Sequence, residues 1–325
     1  MAEERSEEEG ASSDARSDDP QSPAKLEKSS WAGALKRSGK QFKEDELTDR
    51  AAALTFFGVL SIFPALIAII SIAGLIGSSA IDPLMENVSE LAPGPAQEIL
   101  DSVLSNIQGS QGAAGISLII SLAVALWSAS AYVAGFMRAS NAVYDVEEGR
   151  PIWKTLPTRV GVTLVLLVLL LAASIAVTLT GGLADRVAEP LGVGDTAVTV
   201  WEFAKWPVVL LAVSLILALL YWASPNVKHP GISWLTPGSL LAVMLWLIAS
   251  AAFAFFVANF GSYNETYGAM AAPIIFLIWL WISNIAVLLG AELNAELERG
   301  REIERGAPAD REPAMEPRDT RKMES

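Results

Sequence analysis

The polar side chains of this chain that stand next to long apolar stretches fall into three small groups, and each pattern implies its own chemistry. Arg138, Asn141, Tyr144 and Asp145 follow one such stretch, and spacings of three and four residues keep Arg138, Asn141 and Asp145 on one helical face. That set can bind an anion or a lipid phosphate, or it can tie down a helix end. The second group is the decapeptide 259–268, dense in donors, acceptors and rings, in which Tyr263, Asn264, Tyr267 and Gly268 are candidate gate or substrate-path residues. Tyrosines in a short turn also serve as an interfacial aromatic belt. The third group lies on the last apolar stretch. Asn284 sits among tryptophans, where an amide in lipid is costly unless another helix answers it, and Glu292 near the stretch's end is a candidate proton carrier. Asn284 and Pro64 complete the candidate path; Glu296 and Glu298 read as a solvated helical extension.

Several chemistries are excluded by composition. The chain has no cysteine and one histidine, His229, so neither a thiol nucleophile nor a histidine-cluster metal site is available. It has no Walker-type loop, no G-x-S-x-G elbow and no H-E-x-x-H. No catalytic residue, metal or cofactor is expected.

These groups must be positioned by helices in a membrane. Of 325 residues 52% are hydrophobic, although both ends are polar and charged. The mean hydropathy is +0.40. About 20 apolar residues rising 1.5 Å each cross a hydrocarbon core of roughly 30 Å. The windows of that length predict six transmembrane helices, near 51–77, 115–137, 160–183, 203–223, 235–260 and 268–290, in an all-α integral membrane bundle. Pro64, Pro207, Pro237 and Pro273 lie in or beside them, and neighbouring helices can satisfy the carbonyls a proline frees.

Orientation follows the basic residues, which are retained on the cytoplasmic side. Of 23 Lys and Arg, only Arg186 and Lys205 fall on the side opposite to the rest, so six spans with both termini inside are expected. Residues 1–29 form an acidic, disordered tail, 30–299 the membrane domain, and 300–325 a polar, disordered tail. The net charge of −13 offers nothing to nucleic acid. Between 30 and 49, lysines interleave with Trp31, Leu35, Phe42 and Leu47, predicting an N-terminal interfacial helix on anionic phospholipids of the inner leaflet. The outer loop 78–114 reads as two amphipathic helices around Pro93-Gly94-Pro95. Small residues at Ser121, Ala125 and Ala129, at Ser128, Ala131 and Gly135, and at Ala251, Ala254 and Ala258 predict close helix contact.

Four separated motifs carry a resemblance. Ala51-Ala52-Ala53-Leu54-Thr55-Phe56-Phe57 through Ser61-Ile62-Phe63-Pro64, Asn141-x-x-Tyr144, Tyr263-Asn264-x-x-Tyr267-Gly268 and Gly290-Ala291-Glu292-Leu293 together resemble the YihY/virulence factor BrkB family of bacterial inner-membrane proteins. The likeness runs from about residue 31 to 299. It implies a six-helix inner-membrane protein linked to serum resistance, with roles in transport or envelope lipids. The family has also carried the label ribonuclease BN. Metal-dependent RNA hydrolysis needs clustered ligands on a water-facing scaffold, which one histidine and short inner loops do not supply. The expected activity is transport or lipid translocation, with the bilayer as partner and homo-oligomers allowed. A non-catalytic scaffold for envelope machinery is the alternative.

Overall fold

The computed structural model describes residues 22–76, 114–178, 195–259, 271–309, 311, 313 and 315–323. Seven α-helices occur among the described residues: α1 (Lys28–Glu44), α2 (Leu47–Ile76), α3 (Ala114–Val143), α4 (Ile152–Thr178), α5 (Asp195–Ala223), α6 (Thr236–Asn259) and α7 (Ala271–Glu304). Short 3-10 turns occupy Pro23–Lys25 and Ile232–Leu235. The described residues hold no strand beyond one isolated bridge, Val227 to Pro317.

The chain is a helical membrane protein. Five segments are long and apolar enough to cross a bilayer: Leu122–Val143, Ile152–Val177, Thr199–Ala223, Ser233–Val257 and Pro273–Glu304. Their outward faces carry exposed side chains such as Val168, Leu211, Ile248 and Phe255, as a surface solvated by lipid requires. The first expected span, 51–77, corresponds to α2, which is 30 residues long and stands outside those five. Pro64, Pro157 and Pro207 lie inside helices α2, α4 and α5.

Two helix pairs dominate the packing, α2 with α3 and α6 with α7, and α7 also lies against α1, α2 and α3. Small residues set the approach. Ala125 and Ala129 of α3 are buried, and a Cβ on Gly135 would stand 2.9 Å from the Phe57 ring. On α6 the expected stripe turns outward instead, with Ala251 and Ala254 exposed.

α7 has 34 residues, hence about 51 Å of helix against about 30 Å of hydrocarbon. The surplus of about 20 Å forms a post outside the core, around which a polar platform assembles. α1 forms where the N-terminal interfacial helix is expected, and it packs on protein. It runs antiparallel along α7, with Ser30 donating to the Glu304 carboxylate at one end and Arg37 paired with Glu296 at the other. Its buried face, Ala34 and Ser38, packs against this post, and Leu26, Ala34, Trp234, Leu293 and Leu297 form a small apolar core there. The apolar residues of 30–49 are therefore largely spent on protein.

The structure corrects the expectation of a disordered tail over 300–325. α7 continues to Glu304, and residues 315–323 dock onto the platform through the bridge at Val227, Lys228 N–H to the Glu316 carbonyl (3.0 Å) and Lys322 N–H to the Gly149 carbonyl (2.9 Å). Residues 22–29 are likewise ordered into the 3-10 turn and the start of α1, while 1–21 and the outer loop 78–113 lie outside the described residues.

Candidate functional site

The platform is built where polar side chains enter its interior from four elements. α7 supplies the densest row. Glu292, Glu296 and Glu298 are 1%, 2% and 0% exposed, so the expectation of a solvated extension is overturned. Burying carboxylates is expensive unless each is answered by hydrogen bonds or a counter-charge, and two of the three are answered. The Glu298 carboxylate accepts from Tyr144 Oη (3.3 Å) and lies 3.0 Å from His229 Nδ1, whose ring stands edge-on to Tyr144. Glu296 pairs with Arg37 and, at 3.6 Å, with Arg299, which also reaches Asp145 at 3.2 Å. Glu292 Oε2 is sealed from solvent and has no hydrogen-bond partner among the described residues.

One turn further into the bundle, α6 and α7 touch backbone to backbone. A Cβ on Gly238 would meet the Gly290 carbonyl oxygen at 2.0 Å, and one on Gly290 would meet the Gly238 oxygen at 2.4 Å. Asn294 bridges the same crossing, accepting from Gly238 N–H (2.8 Å) and donating to the Leu235 carbonyl (3.2 Å). Tyr221 Oη adds a bond to the Val287 carbonyl (2.7 Å).

The loops are tied by Asn226 and Arg150. Asn226, fully buried, donates from Nδ2 to the carbonyls of Glu147 (3.1 Å) and Asp319 (2.8 Å) and accepts at Oδ1 from Asp319 N–H (3.1 Å). Arg150 caps the last turn of α5 through the carbonyls of Ala223 and Ser224 while its fork grips Glu148, a cation at the helix end where carbonyls lack partners. Arg318, from the docked C-terminal segment, reaches the Trp222 carbonyl at the same end (3.0 Å).

The four residues expected to contact an anion part company in the structure. Asn141 Oδ1 accepts from Asn226 N–H (2.7 Å) and its Nδ2 donates to Glu148; Tyr144 and Asp145 serve Glu298 and Arg299. Arg138 alone remains exposed, over the Phe57 ring. Asn284 finds its partners in Tyr132 Oη, which donates to its Oδ1 (2.9 Å), and Thr55 Oγ1, which accepts from its Nδ2 (3.1 Å). At 2% exposure it is an interhelical amide joining α2, α3 and α7. Such bonds in membrane proteins contribute about 0.6 to 1.7 kcal/mol. Asn284→Ala should lower the melting temperature in detergent by an amount equivalent to about 1 kcal/mol, with coupling to Tyr132→Phe in a double-mutant cycle. A coupling indistinguishable from zero would refute the bond. Pro64 is half-buried within α2; Tyr263, Asn264, Tyr267 and Gly268 lie outside the described residues.

Sequence reasoning passed over Asn226, Arg150, Glu298 and His229 as a site. The signal was present in part: carboxylates at 292 and 296, one turn apart just after an apolar stretch and Gly290, mark a face that meets another helix.

Spans with lipid-facing apolar surface, crowned at one end by a buried polar platform, define a polytopic helical membrane protein. The chain belongs to the family of the virulence factor BrkB, whose model matches residues 38–315. It is similar to the ribonuclease-like protein YfkH of Bacillus subtilis, at 28% identity over 83% of this chain and 96% of that protein. It is 30% identical to a UPF0761 membrane protein of Azoarcus sp. over 85% of this chain and 66% of the relative, and 27% identical to one of Haemophilus influenzae over 82% and 95%. In Ralstonia nicotianae the UPF0761 relative is matched over 57% of its length, so some relatives are much longer than the region shared. No solved structure matches the chain.

Proposed function

We propose that the chain is a transporter of the bacterial inner membrane, moving a lipid or another amphipathic substrate, with six spans and both termini in the cytoplasm. α2 serves as the sixth span and the platform faces the cytoplasm, where the basic flanks belong. The observation that carries this reading is Glu292: a carboxylate at the inner end of α7, buried and without a donor on Oε2. An apolar residue of that size would make the helix junction more stable, so a carboxylate there points to work that needs a titratable group. Glu292 acts as the proton carrier, Pro64 of α2 borders the path, and Tyr263, Asn264, Tyr267 and Gly268 remain the candidate gate residues, while Asn284 holds α2, α3 and α7 together. RNA hydrolysis, suggested by the name of the Bacillus relative, gains no support, because the single imidazole is taken up by Glu298.

The test is reconstitution into liposomes holding a fluorescent phospholipid, with an impermeant quencher outside and a pH step across the membrane. Wild-type protein is expected to expose inner-leaflet lipid at least tenfold faster than empty liposomes, and Glu292→Gln to abolish the pH-driven part. Wild-type rates equal to empty liposomes, with the lipid and with a panel of amphipathic solutes, would sink the reading.

A scaffold is the second reading, favoured by the projecting α1–α7 pair. Lys36, Lys40 and Lys43 are exposed on the face of α1 turned from α7 and can meet anionic phospholipids or an acidic partner.

A further inference from the structure

The break between α1 and α2, the end of α3 and the last third of α7 carry four carboxylates that act on one another electrostatically, Asp45, Asp145, Glu292 and Glu296, and Arg299 bridges two of them, Asp145 at 3.2 Å and Glu296 at 3.6 Å. The charges acting on Glu292 are those of Asp45, Glu296, Asp145 and Arg299; those acting on Asp45 are Asp145, Arg50, Glu44 and Arg299. The cations are mostly committed elsewhere. Arg299 is shared between Asp145 and Glu296, Arg37 holds Glu296, and Arg50 Nε donates to the Asp45 backbone carbonyl (2.7 Å). Tyr144, the remaining titratable neighbour of Glu292, donates to Glu298.

Exposure falls along this row. Asp145 has 29% of its side chain in solvent, Asp45 is half-buried, and Glu292 is sealed. Water therefore reaches the first two carboxylates and not the third. Glu292 Oε2, buried with no donor, needs a positive charge or a proton, since an unanswered carboxylate in a low-dielectric interior costs several kcal/mol. A proton on the carboxyl itself answers that need with no further ligand.

We infer that Asp45 and Asp145 form the proton-exchange station through which Glu292 communicates with the aqueous phase at the platform. This rests on the transport reading of Glu292. In the step, the Asp45 carboxyl gives its proton to the Glu292 carboxylate by way of water, and Asp45 is re-protonated from solvent; only O–H bonds are made and broken. Asp145 keeps Asp45 protonatable near neutrality by setting a second negative charge beside it. The electrostatics agree: burial, then the Asp145 charge, push the Asp45 carboxyl from 3.8 up to about 6, against the pull of Arg50. The native state thus binds the Asp45 proton more tightly than the unfolded chain. Its contribution to stability is complete below about pH 4 and is lost as pH rises through about 6.

The full chain in liposomes with an internal pH dye, together with infrared titration of its carboxyl band, tests this with Glu292→Gln, Asp45→Asn, Asp145→Asn and Asp45→Glu. A carboxyl titrating near pH 6 is expected in the wild type, absent in Asp45→Asn and moved to lower pH in Asp145→Asn. Glu292-dependent proton uptake at pH 7.5 should fall at least tenfold in Asp45→Asn and be largely restored in Asp45→Glu, which shows that loss of folding is not the cause. If Glu292→Gln takes up protons as the wild type does, the transport reading fails and the station falls with it. If Glu292→Gln is inactive while Asp45→Asn and Asp145→Asn match the wild type, the station alone is overturned.

Discussion

Gly238→Ala is expected to yield almost no monodisperse protein, because the methyl group has nowhere to go. Its carbon would lie 2.0 Å from the Gly290 carbonyl oxygen and 2.5 Å from the Asn294 side chain. A helical carbonyl cannot swing aside without breaking its own hydrogen bond, so α6 and α7 must separate, and overpacking of this kind costs about 1–3 kcal/mol. Separation also pulls Gly238 N–H and the Leu235 carbonyl off Asn294. Each buried group left without a partner adds about 1–3 kcal/mol. Together these consume a large share of the roughly 5–15 kcal/mol that holds a protein folded. Gly290→Ala should behave alike, meeting both the Gly238 oxygen and Tyr221 Oη. Gly161→Ala is the control, since a Cβ there meets nothing within 4 Å and a helical alanine is favoured by up to about 1 kcal/mol. Size-exclusion profiles and melting curves of the three variants decide the matter. A Gly238→Ala protein that melts with the wild type would refute the crossing.

The second large effect is expected at Asn226. Alanine there strands both backbone groups of Asp319 in a buried site and removes the part-buried bond to the Glu147 carbonyl, a loss of about 3 kcal/mol. The consequence is local as well as global. Asn226 holds the docked C-terminal segment against the loops that follow α3 and α5, so its loss should free residues 315–323. Trypsin reads this directly, because cleavage after Arg318 requires the segment to open and tracks the open population. Asn226→Ala should be cut there at least tenfold faster than the wild type under native conditions. Equal rates would mean that the Val227 bridge and the Arg318 contacts suffice without the amide.

Both predictions depend on contacts that the sequence shows unevenly. Gly290 stood in a recognisable motif with Glu292, yet nothing in the local sequence says that its neighbour is Gly238. Asn284 was legible as an amide needing a partner in an apolar helix, whereas Tyr132 lies 152 residues away and Thr55 lies 229 away. The error over Glu296 and Glu298 has the same origin. A charged run after a span reads as solvated when only its own residues are counted, and it is buried here because α1, the loop bearing His229 and the segment 315–323 all pack around it.

Membrane character, helical class, the position of the long apolar helices and the family are legible in the chain alone, since each rests on sums over neighbouring residues or on short motifs. An apolar window must be a helix in lipid because its backbone groups have no other partner. Which helices touch, the run of α1 along α7, the docking of the C-terminal segment and the carboxylate left unanswered emerge only in the folded chain. Those outcomes depend on distances between residues far apart in the chain. A buried polar group is satisfied by geometry, and geometry is a property of the assembled bundle.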